Sequence, residues 1–117
     1  MSPIPRPPVD LDAFRAVMVE AGIEEAIAPT LRVWVDEAPL KLARLEAAVS
    51  AGDPPAVASA AHALKSSCSH ICATDLVSAL DALESAGHDG ERDRLPDLLD
   101  AVRPRYEAAL AYVKAHC

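Results

Sequence analysis

Aromatic residues are nearly absent from this chain: Phe, Trp and Tyr together make up 3% of 117 residues. Hydrophobic residues nevertheless reach 51%, so the interior has to be assembled from Ala, Leu and Val, the side chains of closely packed helices. A β-sandwich would need more aromatic and β-branched residues. Glycine is also scarce, at four residues, and no glycine-rich phosphate loop or Gly-x-Ser-x-Gly elbow is present. Basic residues are outnumbered, 11 against 18 acidic, for a net charge of -7. That balance argues against general nucleic-acid binding, which relies on cationic surfaces. Cysteine is sparse and odd in number (Cys68, Cys72 and Cys117), which gives no disulfide framework and reads as reduced thiols, with Cys68 and Cys72 turned towards the core. No long apolar run occurs. The opening segment, MSPIPRPPVD, has four prolines and reads as neither signal peptide nor membrane anchor. Residues 1–9 are expected to be a flexible Pro-rich tail and residues 10–116 a single helical domain.

What is plentiful is helical periodicity. Asp10 is placed to cap a short helix with Leu11, Phe14, Val17, Met18 and Ala21 on its apolar face, ended by Gly22. A second helix is expected from Ile23 or Glu24 to about Ala51, with Ile27, Leu31, Trp34 or Val35, Leu42, Leu45 and Val49 as core positions and Trp34 packed inwards. Pro39 should bend it. Asp53-Pro54 restarts the chain as N-cap and first helical residue of a third helix running to Ile71 or Cys72. Thr74 or Asp75 would cap a fourth, carrying Leu76, Leu80 and Leu83 until Gly87 and Gly90 break the pattern. The last helix is expected from about Asp93 to Lys114, with Pro96 in its first turn and a kink at Pro104. Short connections between long amphipathic segments favour an all-α, antiparallel up-down-up-down four-helix bundle, with the short first helix across one end.

The chemistry concentrates between Ala58 and Ala73. On a helix, Val57, Ala61, Leu64, Cys68 and Ile71 form a buried stripe. His62 then faces water, with Ala58 and Ser59 one turn before it, Lys65 and Ser66 one turn after and Ser69 two turns after. An exposed imidazole among short side chains can be approached closely by another protein. Its unprotonated form offers a nitrogen lone pair to an electrophile such as a phosphoryl group, and Lys65 can pair with the incoming oxygens as a flexible point charge. Taken by itself the spacing favours an Ala- and Ser-rich helix with an incidental surface histidine. Two other chemistries fit the residues less well. Cys68, His70 and Cys72 are close in sequence, but on a helix His70 projects away from Cys68 and two thiols do not close a tetrahedral metal shell. A hydrolase would require an orienting acid and an oxyanion hole that the sequence does not display.

The run Ala61-His62-Ala63-Leu64-Lys65-Ser66-Ser67, followed by Ile71, Ala73 and the leucines Leu76, Leu80 and Leu83, resembles the signature of histidine-containing phosphotransfer (HPt) domains, Ala-His-x-Leu-Lys-Gly-Ser. The likeness extends upstream through Trp34 to Pro39, Leu45 and Gly52-Asp53. Ser66 stands where the family usually has glycine after the lysine, Cys72 where a second glycine often precedes the alanine, and His70 where a small polar residue is common. The resemblance implies a four-helix bundle, His62 as phosphoacceptor and Lys65 as the charge that stabilises the phosphoryl group. It also implies a bacterial multistep two-component phosphorelay, in which the protein shuttles a phosphoryl group between receiver-domain aspartates without a kinase or ATP site of its own. Partners would be response-regulator receiver domains and a hybrid sensor kinase, docking over Ala58, Ser59, Ser66 and Ser69. The receiver would bring the Mg²⁺, and the chain itself no cofactor or metal. A cytoplasmic monomer with no nucleic-acid or membrane partner is expected. The alternative is an adaptor bundle that binds a receiver-like or kinase partner without accepting phosphate.

Overall fold

The structure, a computed structural model, describes residues 6–117. Among these the chain is all helix, without a strand: α1 (Leu11–Glu20), α2 (Ile27–Ser50), α3 (Pro54–His70), α4 (Thr74–His88) and α5 (Leu95–His116). Single 3₁₀ turns at Glu24–Ala26 and Arg92–Arg94 lead into α2 and α5. The expected starts of those two helices therefore fall in tighter turns.

Helix starts follow from side-chain caps where the sequence supplies them. Asp10 Oδ1 accepts from the Ala13 N–H at 3.0 Å, and Asp53 Oδ1 from the Ala56 N–H at 3.2 Å, each satisfying a donor that the helix leaves unpaired. Pro54 opens α3, where its missing N–H costs nothing. At α4 the expectation fails: Ala73 is the N-cap and no side chain caps the helix, while Thr74 and Asp75 are already inside its first turn.

Residues 1–5 of the expected tail lie outside the described residues, and Arg6 to Val9 do not behave as a free tail. Val9 is fully buried. The Asp10 N–H donates to the Cys72 carbonyl at 3.0 Å, and Arg6 Nη2 pairs with Asp75 Oδ1 at 3.2 Å. Val9 docks because α1 itself is anchored by Leu11, Phe14 and Met18, all buried. Val17, expected in the core, is instead exposed, while Leu11, Phe14 and Met18 form the buried face of α1.

α3 packs on α4 and on α2, α4 on α5, and α5 on α2, so the four long helices close a ring around the core. Opposed pairs run in reverse order along α3 and α4: His62 faces Glu84, and Lys65 faces Asp81. Trp34 is buried as expected and meets Tyr106 of α5 at 6.5 Å between ring centroids. Arg103 of α5 reaches Glu46 of α2 at 3.1 Å. The stripe Val57, Ala61, Leu64, Cys68 and Ile71 is buried throughout. Burial pushes the Cys68 thiol up to about 12, so it stays a protonated, space-filling group. Cys72 is only half-buried and is the one non-glycine residue with positive φ, 63°, among the described residues.

Candidate functional site

The geometry that presents His62 is fixed by the seam between α3 and α4. Leu64 and Ala61 on one helix and Leu80 and Leu83 on the other bury the seam, which leaves the next positions round each helix at its edge. His62 lies there with its side chain 64% exposed. Its Nδ1 is 3.2 Å from Glu84 Oε1. An ionised carboxylate can only accept, so Nδ1 carries the proton and the lone pair of the neutral ring resides on Nε2.

Glu84 is the hub. Its Oε1 also receives the Lys65 ammonium at 2.9 Å, and the same ammonium donates to Asp81 Oδ1 at 3.0 Å. The Lys65 hydrogen bond, before the smaller help from His62, holds the Glu84 carboxyl below the ordinary carboxylate range. Reciprocally, Glu84 and then Asp81 raise the Lys65 ammonium above its usual value. His88 Nε2 stands 3.6 Å from Glu84 Oε2, too long for a hydrogen bond and attractive only when that ring is protonated.

The residues expected around the imidazole divide. Ser59, Ser66 and Ser69 are exposed on the His62 side of α3. Lys65 is only partly exposed, because its stem lies along α4 on the way to two carboxylates. Ala58 does not belong to an exposed face: it is 3% exposed, covered by the close approach of Gly87, whose absent side chain lets α4 ride on the α3 backbone. His70 meets Phe14 nearly perpendicular, ring centroids 5.8 Å apart, while Cys68 is buried and Cys72 half-buried, and no three His, Cys, Asp or Glu side chains among the described residues are grouped as a metal shell would need.

Sequence reasoning missed Glu84, Asp81 and His88. A signal was available in the fourth helix, where Asp81, Glu84 and His88 fall at three- and four-residue steps beside the Leu76, Leu80 and Leu83 stripe. Using it requires the register between two helices joined by the short link after His70, and that register is a property of the fold.

Two grooves flank the site. Pro55, Ser59, His62, Glu84 and His88 line one, and Lys65, Ser66, Ser69, Val77 and Asp81 line the other. An all-helical domain that displays an exposed imidazole with a carboxylate behind its Nδ1 and a lysine ammonium on the same carboxylate defines a histidine-presenting class of protein. The Hpt domain model matches residues 30–116, and the chain belongs to that family. The fold is similar to the crystal structure of histidine-containing phosphotransfer protein B (HptB) from Pseudomonas aeruginosa PAO1, with a TM-score of 0.85 and 27% identity over 96% of each chain. No curated protein sequence gives a significant match.

Proposed function

We propose that this protein is a phosphohistidine carrier of a bacterial two-component phosphorelay, with His62 as acceptor, passing a phosphoryl group between the aspartates of two receiver domains. The observation that carries the reading is the His62–Glu84 contact at 3.2 Å. It keeps the proton on Nδ1 and leaves Nε2 available as nucleophile on an exposed ring. The Nε2–P bond forms as the P–O bond of the aspartyl phosphate breaks, and that electron pair returns to the receiver's carboxylate. Nδ1 keeps its proton, and Glu84 stabilises the positive charge that develops on the ring. Lys65 offsets charge on the phosphoryl oxygens. The reverse step hands the group to a second receiver.

In this reading the chain contributes the nucleophile and its orientation, and the receiver contributes the Mg²⁺. Docking would take place over Ser59, Ser66 and Ser69, short side chains that let a receiver bring its aspartate to Nε2. The reversed pairing of α3 with α4 supports the antiparallel part of an up-down-up-down bundle; α1 across one end belongs to the same proposal. No helix among the described residues is long and apolar enough to cross a membrane, and a cytoplasmic monomer is the state proposed here.

The deciding experiment is incubation with a phosphorylated receiver domain. His62→Gln should keep the wild-type helical circular dichroism and take up no label, because the ring is exposed and contributes little packing. Wild-type labelling of that variant, at His70, His88 or His116, would overturn the assignment.

A further inference from the structure

Lys65 is not idle in the unphosphorylated protein. Its ammonium is shared between two carboxylates of different character. Glu84 is 14% exposed and is also engaged by His62, so it is part of the frame. Asp81 is 63% exposed, and Lys65 is its one side-chain partner among the described residues. Asp81 also stands in the groove shared by Lys65, Ser66 and Ser69. A phosphoryl group arriving at the imidazole is anionic and needs the cation that Asp81 holds. Asp81 therefore opposes its arrival twice, by occupying Lys65 and by like-charge repulsion.

We infer that Asp81 is a positioning residue that holds Lys65 in the resting state and gives it up to the phosphoryl group, so that its charge limits how readily His62 is phosphorylated. The inference rests on His62 being the acceptor, and Asp81 acts through Lys65 without touching the reacting atoms. The same charge would make the phosphorylated state readier to pass its phosphoryl group on, since an added anion lies near an existing one.

The test uses the full chain and phosphoramidate as donor, whose P–N bond breaks as Nε2–P forms, the leaving nitrogen departing as ammonia with a proton from water. Phosphorylation of His62 is followed by intact mass. Asp81→Asn keeps the shape and removes the charge, and should accelerate phosphorylation about threefold to tenfold, the effect of one partly screened unit charge. Asp81→Glu restores the charge and should return the rate to that of the wild type, which a merely structural role would not require. In parallel, titration with inorganic phosphate, followed through the NMR signals of Lys65 and His62, should give a dissociation constant at least about threefold lower for Asp81→Asn. Equal rates and equal phosphate affinity in Asp81→Asn and wild type would overturn the inference, as would an Asp81→Glu variant that behaves like Asp81→Asn. If His62 takes up no phosphoryl group in any of the proteins while phosphate binding still tightens in Asp81→Asn, the acceptor assignment fails and the Asp81–Lys65 competition stands.

Discussion

Glu84 decides what His62 can do. A free neutral imidazole divides its proton between two nitrogens, and a carboxylate at 3.2 Å from Nδ1 biases that division. Glu84→Gln keeps an acceptor but loses the charge that stabilises a ring carrying both Nδ1–H and a phosphoryl group. It should slow phosphorylation by phosphoramidate at least about tenfold. The pH dependence of stability has a defined sign. The Glu84 carboxyl is held below its unfolded value by Lys65 and His62, so its stabilisation is present above the unfolded carboxylate pKa, about 4.3, and is lost as pH falls through the lower folded value. Lys65, raised by Glu84 and Asp81, contributes below the unfolded lysine pKa, about 10.4, and its contribution is lost as pH rises through the higher folded value. Thermal melts of wild type and Glu84→Gln should therefore differ at pH 7 and converge as pH drops below about 4. A gap that persists unchanged into acid would mean that the carboxylate is not what the ammonium stabilises.

At the scale of elements, α1 to α4 all end in the same way. In each, the residue after the C-cap turns left-handed, its N–H returns to the carbonyl three residues back, and the next N–H returns to the carbonyl five residues back. Gly22, Gly52 and Gly90 take this position with φ of 75°, 62° and 70°, and Cys72 takes it with φ of 63°. A side chain in that region costs about 1–2 kcal/mol. The Cys72 side chain is half-buried against the core, so packing recovers only part of that. Cys72→Gly should raise stability by about 1 kcal/mol, or about 4 °C in Tm, measured by thermal and denaturant unfolding. Loss of stability would show that the thiol's contacts outweigh the backbone cost. The departure from the family pattern at this position was visible in the sequence, but its meaning needed the dihedral angle. Ends marked by glycine and starts marked by Asp10 and Asp53 were legible because they are local chemistry. The start of α4 was not, because Ala73 there makes no side-chain cap.

Across the whole molecule, the exposure of His62 and the buried stripe of α3 could be read from one helix's periodicity, whereas the roles expected of His62 and Lys65 came from the resemblance to the HPt signature. Glu84 and Asp81 could be read from neither, because their role exists only once α4 is laid against α3 in one register. Gly87 shows the same limit from the opposite direction. In sequence it reads as the end of a helix. In the structure it is buried inside α4, where a Cβ would lie 2.8 Å from the Ala58 nitrogen and 2.9 Å from the Pro54 carbonyl oxygen. Those neighbours are backbone and cannot rotate away. Gly87→Ala must separate the two helices, at a packing cost of about 1–3 kcal/mol, against a gain of about 1 kcal/mol in helix propensity. Glu84 is one turn before Gly87 on α4 and His62 one turn after Ala58 on α3, so the separation opens where the imidazole meets its carboxylate. The variant should be less stable than wild type and, even at temperatures where it is fully folded, should phosphorylate more slowly and show a larger share of the Nε2–H tautomer in the ¹⁵N spectrum of His62. Ser85→Ala, an exposed change on the same helix, should alter none of these. A Gly87→Ala protein with wild-type tautomer populations would show that the His62–Glu84 contact does not depend on the close approach of the two helices.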